Sequence, residues 1–200
     1  MKSHALPEPT FVPQFEPSGD VERRIANVAN EDMNAPEWNW CGMCCVRMIL
    51  LGLGREAPSL DEMYRAATDA GVFKMVDGQV VGAHHRQLED FIYHEFGLVA
   101  FADRRRSTGD IAQMVLRGRY VIASVSPTVR EIDGDVPEKK SGHLVLIYAV
   151  ETTEKGRVFV LHNSAGFVST NTQKEVRVTE ERLRDCFSGC YITVSTEFVE

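Results

Sequence analysis

Apolar positions along this chain change period near its middle. From residue 41 to about residue 117 they recur at helical spacing, and after Gly118 they crowd into short β-branched runs. The stretch from Cys41 through Val46, Met48, Ile49 and Leu50 is mostly apolar and predicts a buried helix that Gly52 and Gly54 terminate. Ser59 followed three residues on by Glu62 has the spacing of a capping box and predicts a helix running to about Ala70. Leu88, Phe91 and Ile92 mark a third helix from His85 to Phe96, stopped by Gly97, and Ile111, Met114 and Val115 a fourth over 108–117. Then come YVIASVS, HLVLIYAV, RVFVLHN, EVRV and CYITVSTEFV, which read as strands. Helices first and strands second predict an α+β domain, its helical half packed on an antiparallel sheet.

HLVLIYAV and RVFVLHN, joined by ETTEKG, predict a β-hairpin. With its turn centred near Thr153, His143 and Asn163 fall opposite one another, and cross-strand Cβ atoms lie ~5 Å apart. His162 alternates with Asn163 and is expected on the other face. At the other end of the chain, four prolines at 7, 9, 13 and 17 predict an extended arm outside the core, with a short helix over 21–28. The expected division is therefore an arm over 1–30 and one domain over 31–200.

Composition narrows the function. Residues total 200, of which 22 are Lys or Arg and 29 Asp or Glu, giving a net charge of −7. The longest basic run is Arg104, Arg105 and Arg106, so a nucleic-acid partner is not expected. No stretch approaches the ~20 apolar residues that span a bilayer, and no apolar signal segment follows Lys2, so a cytoplasmic protein without a membrane partner is expected. Five cysteines, three within 41–45 and two at 186 and 190, are unlike a secreted disulfide framework; reduced thiols raise the questions of reactivity and metal binding.

The stretch WNWCGMCC sets Cys41 at the first turn of a helix. A helix N-terminus and a neighbouring imidazolium lower a thiol from about 8.5 into the range ~3.5 to 7.5. His143 is the candidate general base and Asn163 the candidate orienter of its ring. Gly42 leaves room for a carbonyl at the helix end, where backbone N–H groups stabilise an oxyanion.

WCGMCCVRMIL resembles the nucleophile helix of papain-like cysteine peptidases, in particular the bacteriocin-processing, double-glycine-leader peptidase family and its stand-alone relatives. Cys41, Gly42, Cys45, Met48 and Leu50 fit its pattern. SGHLVLIYAV resembles that family's Gly-His and apolar strand, which implies His143 as base, and VFVLHNSAGF its following block, which implies Asn163 as orienter and Gly166 as the glycine after it. The resemblance spans residues 38–167 and implies a papain-like fold with the site between helices and sheet. It departs at Ala35, where the family carries an oxyanion glutamine; Asn39, Asn34 and the Trp38 and Trp40 indoles are the candidate substitutes. Asp-Pro has become Asn163-Ser164.

The expected function is cysteine-dependent acyl transfer through a thioester on Cys41, a peptidase or amidase with water as acceptor or an acyltransferase with an amine. The substrate is a peptide or an amide-containing small molecule, and neither cofactor nor metal is called for. Two alternatives stand beside it: a catalytically silent papain-like binding protein, and a zinc module built from Cys41, Cys44, Cys186 and Cys190. A guanylate cyclase label attached to proteins with similar helices finds no paired-carboxylate metal site or phosphate loop here. Each site residue also has a structural reading: Cys41 as a core thiol, His143 as a satisfied strand histidine, Asn163 as a turn residue. Cys44 and Cys45 read as helix packing, His84, His85 and His94 as surface positions, and Glu37 and the arginine run as solvated charges.

Overall fold

In the computed structural model, which describes residues 2–15, 36–77 and 79–198, an antiparallel sheet carries helices on both faces. The strands are β1 (Lys2–Ala5), β2 (Phe73–Val76), β3 (Gln79–Ala83), β4 (Leu98–Asp103), β5 (Arg119–Val125), β6 (His143–Thr153), β7 (Gly156–His162), β8 (Val176–Thr179) and β9 (Phe187–Phe198). The helices are α1 (Cys41–Gly52), α2 (Leu60–Asp69), α3 (His85–Phe96), α4 (Thr108–Leu116) and α5 (Glu180–Cys186). Among the described residues, the main sheet runs β4-β9-β5-β6-β7-β8, with β1 also paired to β6, while β2 and β3 form a separate hairpin. No helix among them is long and apolar enough to cross a membrane.

Side chains along the central strands alternate between two cores, which is why these segments are apolar without interruption. Ile122, Leu144 and Leu146 pack with α1, α2 and α3, whereas Val121, Val145 and Ile147 pack with α4 and α5 on the other face. Helices α4 and α5 cover the second face. Expected caps are present. Ser59 and Glu62 form the capping box of α2, and Gly97 closes α3 in the left-handed conformation.

The described part of the N-terminal arm, residues 2–15, packs into the domain. Its first residues form β1, paired with β6 over 149–152, on the side where β5 has ended. Leu6, Val12 and Phe15 are buried. Tyr120 donates its hydroxyl to the Pro7 carbonyl at 2.8 Å and His162 bonds that of Pro9 at 2.8 Å. The helix expected over 21–28 lies outside the described residues, as do Asn34 and Ala35.

Candidate active site

Cys41 is the first residue of α1. A 3-10 turn over Pro36–Asn39 delivers the chain to Trp40, which is already helical at φ −79° and ψ −5°, and no side chain caps the helix. The backbone amides of Cys41 and Gly42, and that of Leu144 from β6, favour the Cys41 thiolate. Gly42 is buried against the same strand: a Cβ there would lie 3.1 Å from Leu144 Cδ1 and 3.5 Å from Leu88 Cδ2. Its small size thus keeps α1 tight on β6.

His143 opens β6 and Asn163 follows β7, both buried. His143 Nε2 and Asn163 Oδ1 are 2.8 Å apart, and the same oxygen accepts the Ala165 N–H at 3.1 Å. Because a backbone N–H can only donate, the atom facing it is the amide oxygen, so His143 Nε2 carries the proton in this bond. In the neutral ring Nδ1 is then left as the acceptor, the atom a general base needs.

The contact is made by a different route from the one the hairpin pattern predicts. Leu146 pairs with His162, and the turn joins Thr153 to Gly156, so the register carried on would set His143 opposite Ala165. The irregularity between Ile147 and Ala149 is already included in that register and moves the residue opposite His143 from Gly166 to Ala165, one position nearer Asn163. Asn163 instead leaves the ladder: its N–H donates to the Gln173 carbonyl at 2.7 Å, its carbonyl accepts from Gly166 at 3.0 Å, and its side chain turns back to His143. Asn163 thus closes a turn and also bonds the imidazole. Gly166 is required there, because a Cβ would lie 1.7 Å from the Thr172 carbonyl oxygen.

Cys41, Gly42 and His143 line one cleft of about 640 Å³, together with Trp38, Asn39, Gly142 and Leu144. Val80, Gly82 and Ala83 of β3 and His85 of α3 form one wall; Ser124, Ser188 and Cys190 of the sheet, with Lys139 and Ser141, complete it. Trp40 is not among these residues and packs against the core. His85, expected at the surface, is half-buried in the cleft wall, and burial lowers it, as do the Arg104 and His84 charges. His84 and His94 are exposed. His162 lies buried away from the cleft: its Nδ1 accepts the Glu175 N–H at 3.1 Å, so Nε2 donates to Pro9.

Electrostatics correct one expectation. Cys41 is half-buried, and burial raises its thiol above the ordinary value even though the Leu144, Gly42 and Cys41 amides pull it down. Burial likewise lowers His143 to about 4, opposed by its bond to Asn163 and helped by the Arg130 charge. Burial therefore favours the neutral form of both the thiol and the imidazole, because protein packed round each group removes the water that a charge needs. Cys45 is pushed up further by burial and the neighbouring thiols.

The zinc module is overturned by position. Cys44 lies in the core beneath α1 and Cys186 in the core on the opposite face of the sheet. Cys41 and Cys190 line the cleft, and no set of three or more His, Cys, Asp or Glu residues among those described could hold a metal.

Helices and antiparallel sheet meeting at a cleft lined by Cys41 and His143, with Asn163 bonded behind the imidazole, make this the papain-like α+β fold. No protein-family profile matches the sequence, and no curated protein does. Solved structures do share the architecture. One, described as a C39-like peptidase from Bacillus anthracis, superposes with a TM-score of 0.63 at 13% identity over 100% of both chains. Another, the peptidase domain of Streptococcus ComA, a bi-functional ABC transporter involved in a quorum-sensing pathway, gives 0.52 at 11% identity, covering 84% of this chain and 96% of that one. The bacteriocin-processing resemblance read from the three sequence blocks is thus matched at the level of the fold.

Proposed function

We propose that the protein is a cysteine peptidase or amidase in which Cys41 is the nucleophile, His143 the general base and then acid, and Asn163 the residue that orients the imidazole. The hydrogen bond from His143 to Asn163, in the cleft that also holds Cys41, carries this reading. The fold shared with two peptidases supports a peptide substrate. As the Cys41 sulfur attacks the substrate carbonyl carbon, its proton passes to His143 Nδ1; the C–N bond then breaks and the imidazolium returns the proton to the leaving amine. Water, its proton taken by His143, attacks the thioester, freeing the acid and restoring the thiol. An amine in place of water makes the same intermediate an acyl donor. The Cys41 and Gly42 amides and the Asn39 side chain are the oxyanion donors in this scheme.

The test is alkylation of the native protein with iodoacetamide, mapped by cysteine and by pH. Cys41 is expected to react ahead of Cys44, Cys45 and Cys186, with a rate that falls as pH drops toward about 4 and His143 becomes protonated. His143→Ala should move that reactivity to the alkaline range of an unassisted thiol. Peptide hydrolysis should be lost in Cys41→Ser. Reaction of all five cysteines together only near pH ~8.5, unchanged by His143→Ala, would overturn the assignment and leave a binding protein on a peptidase fold.

A further inference from the structure

Three consecutive residues of the N-terminal arm each touch a segment that builds the cleft. The Pro13 carbonyl accepts from the Cys44 thiol, one turn into α1, at 3.9 Å. Phe15 packs edge-on against Trp38, a cleft residue, at 5.0 Å between ring centroids. Between them lies Gln14, which is 3% exposed. Its Nε2 donates to the Glu37 carbonyl at 2.8 Å, its Oε1 accepts from the Ser164 hydroxyl at 3.3 Å, and its backbone N–H donates to the Ser164 carbonyl at 3.0 Å. Glu37 belongs to the turn that delivers Cys41. Ser164 directly follows Asn163. One buried amide therefore bridges the two chain segments, more than 120 residues apart, that carry the proposed nucleophile and the proposed orienter.

Taking Cys41, His143 and Asn163 as the reacting set, we propose that Gln14 is a positioning residue: it fixes the Cys41 and Asn163 segments in one register, so that the arm is part of the active site. Gln14 touches neither sulfur nor imidazole, so its effect runs through where they sit. Neither bridge atom is easily replaced. Glutamate at this position would set a carboxylate oxygen against the Glu37 carbonyl, and asparagine is shorter by one methylene. Without the amide the buried Ser164 hydroxyl loses its acceptor and the Glu37 carbonyl keeps only the Trp40 N–H at 3.2 Å, so the two segments are no longer tied to each other through this side chain, and displacements on the order of 1 Å at a reacting pair cost up to about 100-fold in rate.

The experiment uses the full chain and needs no known substrate. The rate of Cys41 alkylation by iodoacetamide is measured across pH 3 to 9 in the unaltered protein, Gln14→Ala, Gln14→Glu and Leu6→Ala, each with its thermal midpoint. Leu6 is a buried residue of the same arm that contacts neither Glu37 nor Ser164 among the described bonds, and its truncation reports what lost stability alone does. Gln14→Ala and Gln14→Glu are expected to slow the His143-dependent reaction about tenfold or more at temperatures well below melting. Leu6→Ala should lower the midpoint and leave the rate within about twofold. Equal rates in Gln14→Ala and the unaltered protein, or equal slowing in Leu6→Ala, would overturn the positioning role. Absence of His143-dependent reactivity in the unaltered protein would instead sink the catalytic assignment on which it rests.

Discussion

Between His143 Nε2 and Asn163 Oδ1 lies the bond on which the proposed chemistry turns, and burial gives its imidazole a thermodynamic signature independent of turnover. His143 is held at about 4 in the fold against 6.5 when free. Protonation therefore favours the unfolded chain: stability is full above pH 6.5 and is lost as pH falls through that window toward about 4, by roughly 3 kcal/mol if the ring is that well shielded. Denaturant midpoints across pH 7 to 4 should fall more steeply for the native protein than for His143→Gln. Parallel slopes would show the histidine to be less shielded than its burial indicates. These residues were legible in the sequence as candidates because cysteine, histidine and asparagine stood in three blocks with family spacing. The pull of burial toward their neutral forms was not, since desolvation depends on what packs around both groups and no local pattern reports it. His85 was missed as a cleft residue for a related reason: it starts a helix, and the amphipathic pattern of Leu88, Phe91 and Ile92 says nothing about what its first turn faces.

Elements with strong periodicity were readable. The capping box at Ser59 and the left-handed Gly97 mark their helices in sequence and in space. The β2–β3 hairpin passed unnoticed although Asp77-Gly78 between apolar residues is a good hairpin signal, with Asp77 at φ 51°. Strand β4, LVAFAD, hid among helices because two alanines weaken its alternation, and its place on the sheet edge is set by pairing with β9, nearly a hundred residues later. The turn after β7 offers a sharp test at this scale. A methyl on Gly166 would fall 1.7 Å from the Thr172 carbonyl, so Gly166→Ala must open the turn that aims Asn163. It should cost about 3 kcal/mol or more in denaturant unfolding and slow Cys41 alkylation; a variant with normal midpoint and normal reactivity would show that the turn relaxes without moving Asn163.

At the scale of the whole molecule, two cores lie on opposite faces of one sheet, and the cysteines are divided between them and the cleft. Treatment with a zinc chelator should leave the thermal midpoint unchanged within error; a drop of several degrees would point to a metal held elsewhere in the chain. The same sheet sets a constraint on timing. Residues 2–5 close onto 149–152, so a ribosome that has released the first strand must still make about 145 residues, on the order of ten seconds of synthesis at typical rates, before its partner emerges. Until then residues 2–5 wait unpaired, and with them the two segments that Gln14 later joins. In a nascent chain, residues 2–5 should stay protease-sensitive until residues 149–152 have left the ribosome.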